Sequence, residues 1–235
     1  MLRSLFTLTN LLLSTAVALP SGIIRSSHLS GGLSPRGSCA TQAADATNDG
    51  DQGGAGVQLS NGGSGTRSYF VYENSCDSIP LKYVTVDAGK SKFVALPALF
   101  QGRIVRGTDA NLDGQPHLLG TWLEIGLDGT GKGYGDVSLI RGCDGAVTLA
   151  TDDGTGVSTG FDDPSVLADA PDGVFELGSD GSKVIEATEG LLSVVVDAVR
   201  DYLASKLGYD KAYIDDYHGN PVICSSNERF KATFY

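Results

Sequence analysis

From residue 67 onward the chain is a succession of short β-rich runs, and their spacing limits the possible folds more than any other feature. "RSYFVYENSC", "LKYVTV", "KSKFVAL", "FQGRIVRG", "TWLEIGL", "DVSLI" and "AVTLA" follow one another, separated by Gly, Asp or Pro. Val, Ile, Tyr, Phe and Thr suit the pleated, half-buried surface of a strand. Runs of this length about ten residues apart, joined by Gly and Asp turns rather than helices, predict an antiparallel β-sandwich of two packed sheets. One segment departs from the pattern. Leu191, Val195, Val199 and Leu203 recur every four residues, with Leu192 and Val196 beside them and Gly208 beyond. That spacing predicts one amphipathic helix from about Glu189 to Leu207, covering a sheet edge or building a smaller lobe.

The first 66 residues read differently. Arg3 precedes the apolar Leu11, Leu12 and Leu13, and Ala16-Val17-Ala18 supplies a small-residue cleavage pattern. Residues 1–18 are therefore expected to be a signal peptide. Residues 19–66, typified by "GDQGGAGVQLSNGGSG", hold few large apolar side chains to offset the entropy of ordering, and are expected to form a flexible Gly/Ser-rich arm. The folded domain is then 67–235. No later segment approaches the roughly 18 uninterrupted apolar residues needed to span a bilayer. The expectation is a soluble, secreted, monomeric protein, extracellular or associated with the cell wall.

Arg3, Arg25 and Arg36 balance Asp45, Asp49 and Asp51, so the formal charge of −11 belongs entirely to the residues after 66. Such an excess repels phosphate backbones and anionic lipid surfaces, which disfavours nucleic acid and membrane partners. Neutral polysaccharides fit. The four cysteines, Cys39, Cys76, Cys143 and Cys224, predict two disulfides in an oxidising compartment, with three connectivities open.

Several short motifs lose their usual meaning in context. "DANLDG", Asp109 to Gly114, resembles the start of a calcium loop, but the twelfth position, which needs a bidentate Glu, is Gly120. An Asx-type turn between strands explains it. "GVSTG", Gly156 to Gly160, lacks the strand and helix of a nucleophile elbow. "AGKS", Ala88 to Ser91, lacks the first Gly of a phosphate loop, since Val84 stands there. His28, His117 and His218 have no zinc spacing, and no metal or cofactor is expected. Carboxylates on predicted strands remain, Glu124 in "TWLEIGL" and Asp136 before "VSLI"; each points either to solvent or into a cleft.

Taken in order, "YFVYENSC", "VDAGKS", "FQGRIVRGTDANLDG", "TWLEIGLDG", "YGDVSLIRG" and "YIDDYHGNPVICSSNERFKATFY" resemble a thaumatin-like protein of a fungal, cysteine-poor kind. The resemblance implies a β-sandwich of thaumatin-like type with a cleft facing a smaller lobe, floored by one Arg and three acidic residues. Arg103, Glu124 and Asp136 match three of these places. Arg141 stands where the family usually has Asp, and Asp144 is offered as a partial replacement, so Arg103, Arg141 and Asp144 are expected to bind substrate. The resemblance also implies a Cys143–Cys224 bridge, with Cys39–Cys76 as the second, because the family's terminal Cys is absent.

Some members of that family hydrolyse β-1,3-glucan. By that resemblance Glu124 would be the general acid, its pKa raised by burial near Trp122, and Asp136 the base or nucleophile, kept ionised by Arg103. The expected function is recognition of cell-wall β-1,3-glucan, with weak endo-β-1,3-glucanase activity. Tyr134 and Trp122 are candidates for stacking on sugar faces. The alternative is a non-catalytic secreted effector or antifungal protein acting through a protein partner.

Overall fold

A computed structural model describes residues 38–178, 181–190, 192 and 194–235. The predicted signal peptide, the first part of the predicted arm and Leu191 lie outside them. In chain order the elements are β1 (Ala44–Asp45), β2 (Gly56–Asn61), β3 (Arg67–Glu73), β4 (Lys82–Val86), β5 (Ser91–Ala95), β6 (Gln101–Gly107), β7 (Trp122–Leu127), β8 (Gly133–Ser138), β9 (Val147–Thr151), β10 (Ser158–Phe161), α1 (Ser165–Ala168), β11 (Phe175–Leu177), β12 (Lys183–Ile185), α2 (Asp197–Leu207), β13 (Ile223–Ser225) and β14 (Arg229–Phe234). Each of the seven predicted runs carries a strand.

The strands form a seven-stranded sheet, ordered β1-β4-β3-β6-β7-β8-β13, and a five-stranded sheet, ordered β10-β9-β14-β2-β5. Pairing is antiparallel except for β1 with β4 and β2 with β14. The sandwich is thus mixed at those two places. One apolar cluster draws on both sheets: Val71, Ile104, Leu123, Ile125 and Leu127 from the larger, and Val57, Leu59, Leu149, Phe230 and Phe234 from the smaller. In β7 alternate residues enter this core, which leaves Trp122, Glu124 and Gly126 on the outer face of the larger sheet. A second, smaller cluster of Phe70, Tyr72 and Val105, with Tyr83 and Trp122 against it, occupies that outer face.

The described part of the predicted arm, 38–66, is not flexible chain. β2 lies inside the smaller sheet, parallel to β14 and antiparallel to β5, with Val57 and Leu59 fully buried. Asp49 accepts hydrogen bonds from Lys82 Nζ at 2.8 Å and from the Ala95 amide at 3.0 Å, and Asp51 pairs with Arg229. The Gly- and Ser-rich flanks masked a strand in which only two large side chains are needed, because its neighbours supply every ladder partner.

The predicted helix is also shorter than expected. α2 begins at Asp197, burying Val199 and Leu203, and ends at Gly208, whose φ of 67° closes it. Upstream, Val195 bridges to Glu189 and the Val196 amide donates to the Thr188 carbonyl, so the segment is extended. The run Val194-Val195-Val196 explains this, since β-branched side chains lose rotamer freedom in a helix and keep it in extended chain. α1 packs against α2, with the Tyr202 hydroxyl donating to the Val166 carbonyl at 2.9 Å. The short β11–β12 ribbon joins the sandwich through Cys143, which exchanges backbone hydrogen bonds with Ile185.

Cys39 and Cys76 form a disulfide, whereas Cys143 and Cys224 are free thiols. The expected Cys143–Cys224 bridge is corrected by topology. Cys224 pairs with Tyr134 near the start of β8, while Cys143 lies past the end of that strand against β12.

Candidate functional site

β6, β7 and β8 are consecutive antiparallel neighbours, and their register decides which side chains meet. Arg103 is opposite Tyr72 of β3 on one side and Glu124 of β7 on the other, and Glu124 is opposite Asp136 of β8. Directly paired residues share a face. Tyr72, Arg103, Glu124 and Asp136 therefore form one row across the outer face of the larger sheet. Gly102, just before Arg103, permits the close approach of β6 to β3: a Cβ there would lie 2.0 Å from the Tyr72 carbonyl oxygen.

Arg103 is 2% exposed, its guanidinium carbon 4.1 Å from the Trp122 ring centroid and 4.7 Å from that of Tyr72. Nη1 donates to Asp77 Oδ1 at 2.8 Å, and Nε and Nη2 have no hydrogen-bond partner. Burial pulls its pKa below the usual value for Arg, with Asp77 opposing the shift. Tyr72 is fixed in turn by Asn111, whose Nδ2 donates to its hydroxyl at 3.1 Å. Asn111 belongs to "DANLDG", which forms a 3₁₀ turn at 109–112; its Oδ1 also accepts the Thr108 amide at 3.0 Å, while Asp113 Oδ1 accepts the Gln115 amide at 2.7 Å. The polar side chains of this turn cap backbone groups, as the Asx-turn reading expects.

Asp136 is 7% exposed and its Oδ1 has no hydrogen-bond partner. Burial first, and then the nearby Glu124, push its carboxyl well above the ordinary carboxylate range. Arg103 holds Asp77, not Asp136, and burial drives Asp136 towards its protonated form, while Glu124 is only half-buried.

The other two residues expected to bind substrate lie elsewhere. Arg141 Nη1 donates to the Glu189 carbonyl at 3.0 Å, holding the chain ahead of α2. Asp144 pairs with Arg106 Nε at 3.2 Å and accepts the Thr121 amide at 3.0 Å. Arg106 follows Arg103 by three residues on a strand, so it faces the opposite side, and Asp144 cannot complete the acidic row.

Tyr213 completes the row's far end and was not signalled by any periodicity. Its amide donates to the Val137 carbonyl at 2.8 Å and its carbonyl accepts the Leu139 amide at 2.7 Å, a parallel bridge that places it beside Ser138 on the face of Asp136. Burial and the charges of Asp136 and Glu124 push its hydroxyl up to about 12. The hydroxyl donates to Asn220 Oδ1 at 3.3 Å. In the sequence Tyr213 stands within the run "YIDDYHGN", whose aromatic and acidic density is the only local signal near it.

No family model and no curated protein matches the sequence. Solved structures of similar fold are found. The thaumatin-like xylanase inhibitor TLXI is similar at 11% identity and a TM-score of 0.41, covering 77% of this chain and 99% of that one. The protein elicitor MoHrip2 from Magnaporthe oryzae is similar at 14% identity and a TM-score of 0.34, covering 55% of this chain and 88% of that one. A laminaripentaose-producing β-1,3-glucanase in complex with laminaritetraose is similar at 18% identity and a TM-score of 0.39, covering 57% of this chain and 52% of that one. The chain spans about half the length of that glucanase.

Proposed function

We propose that this is a secreted, thaumatin-like carbohydrate-binding protein that takes a neutral polysaccharide, a β-1,3-glucan, along the outer face of its larger sheet. The observation that carries the reading is the row Arg103–Glu124–Asp136 across three adjacent strands. Arg103 has two donor nitrogens, Nε and Nη2, and Asp136 one oxygen, all buried and without a hydrogen-bond partner, while Trp122 and Tyr134 flank the row on the same face. Convergent polar groups set among aromatic rings suit a sugar, which presents hydroxyls at its edges and C–H groups on its faces. A net charge of −11 favours a ligand without anionic groups.

The same row supports weak glucan hydrolysis. Opposed residues of an antiparallel pair have Cβ atoms about 4.5–5.5 Å apart. Side chains that leave neighbouring strands this close together can bring their carboxyl groups within the roughly 5–5.5 Å used by retaining glycosidases. In this reading Asp136, its proton favoured by burial, gives that proton to the leaving oxygen as Glu124 attacks the anomeric carbon; the ionised Asp136 then takes a proton from the water that cleaves the glycosyl ester and frees Glu124.

The test compares wild type with Glu124→Gln and Asp136→Asn for retention on insoluble β-1,3-glucan and for release of reducing sugar from laminarin. Retention by all three, with release by wild type alone, is expected. Retention without release by any protein leaves a binding module, and absence of retention by wild type overturns the reading in favour of a protein partner.

A further inference from the structure

A groove of about 360 Å³ opens on the same face of the larger sheet, beside the row just described. One side is built from Thr41–Ala43 and Ser78–Pro80, two segments tied together by the Cys39–Cys76 disulfide. The other is Leu112–Gly114, and Tyr83 of β4 lies between them, stacked on Phe70 with ring centroids 6.2 Å apart. The volume falls at the lower end of the roughly 300–1,000 Å³ typical of small-ligand sites.

Both sides are attached to the row. Asp77, adjacent to Ser78, holds Arg103, and Asn111, adjacent to Leu112, holds the Tyr72 hydroxyl. The lining carries hydroxyls and an amide, from Thr41, Ser78, Tyr83 and Gln42, but no cation. Its one carboxylate, Asp113, is already engaged by the Gln115 amide and by His117. Phosphate, sulfate or uronate would find no counter-charge there, whereas a neutral polyhydroxyl chain finds hydrogen-bonding groups around an aromatic ring.

We infer that this groove is a second subsite for the polysaccharide proposed above, so that a single glucan chain lies across the sheet from Tyr83 to Asp136. The inference rests on that reading of the row. From β4 to β8 there are four strand spacings in the order β4-β3-β6-β7-β8, roughly 19 Å at about 4.8 Å each. A ligand shorter than that span occupies the row without reaching the groove, and a polymer engages both. The disulfide holds the two segments of that groove side together, and such pre-organisation lowers the cost of binding.

The experiment titrates laminarin and laminaritriose into wild type, Gln42→Leu and Ser78→Leu, with thermal melts to verify folding. Gln42 is exposed and Ser78 half-buried, so both variants are expected to fold, and the added leucine fills the groove while removing a polar group. The expected result is at least a fivefold loss of laminarin affinity in both variants with laminaritriose affinity unchanged. Laminarin affinity equal to wild type in both variants overturns the groove subsite and leaves the row intact. Loss of laminaritriose affinity in parallel with laminarin also overturns it, since the groove would then not be separate. No laminarin binding by wild type removes the row's reading and this inference together.

Discussion

Glu124 and Asp136 stand directly opposite each other across β7 and β8, and burial beside that second carboxyl drives Asp136 towards its protonated form. Two like charges on one face, one of them almost wholly desolvated, cannot both ionise cheaply. The sheet register therefore determines the electrostatics of the site before any ligand arrives.

The first prediction follows from proton linkage. Asp136 is raised in the folded chain above its value of about 3.9 in unfolded chain. The native state thus binds more protons than the unfolded state between those two values. Its contribution to stability is full below about pH 4 and is lost as pH rises through the folded pKa, with a slope of up to about 1.4 kcal/mol per pH unit. Asp136→Asn removes the slope while keeping the shape of the side chain. Melting curves are expected to give similar Tm values for variant and wild type near about pH 4, and a higher Tm for the variant at neutral pH. Equal Tm values at both conditions would mean that Asp136 is not desolvated as described.

The second concerns the segment ahead of the predicted domain boundary. Leu59 is fully buried in a strand flanked on both sides. Leu59→Ala is expected to cost about 2–5 kcal/mol, read from urea denaturation, as for other large-to-small core changes. A chain starting at Arg67 lacks β2 altogether and is expected to stay unfolded by circular dichroism. A cooperative melt of that truncated chain would contradict the role assigned to β2.

The third concerns sulfur. Cys224 is exposed and Cys143 is buried, its thiol pushed up to about 11 by burial. A thiol reagent is expected to label Cys224 in the native protein and Cys143 only after denaturation, since the thiolate is the reactive form. Mass mapping that finds Cys143 joined to Cys224 would contradict the structure. The Cys39–Cys76 bridge closes a sequence separation of 37 residues. Loop-closure entropy puts its removal at about 4 kcal/mol. The double variant Cys39→Ser, Cys76→Ser should show that loss in denaturation midpoint.

Much of the architecture was legible because its signal is local. Alternation in "TWLEIGL" places Leu123, Ile125 and Leu127 inward and Glu124 outward, as found in β7. β2 was not legible, because Val57 and Leu59 are too few among Gly and Ser to reveal a strand whose stability comes from β5 and β14, distant in sequence. The start of α2 was misread because a four-residue spacing of Leu and Val fits a helix, while β-branching at 194–196 favours extended chain. Within the site, Arg103, Glu124 and Asp136 were named from the sequence and fall in one row, but their surroundings were not legible. Those depend on Asp77 capturing the guanidinium and on Tyr213 arriving from a loop some 75 residues after Ser138.

By itself the sequence determined two things: that the chain must build packed sheets, through the alternation and turn residues of each run, and that it carries a net charge of −11, which repels polyanions. Tertiary structure alone decided which acid is buried, which cysteines pair and where Asp144 points. Those properties depend on strand register and burial, and both are set by contacts between residues far apart along the chain.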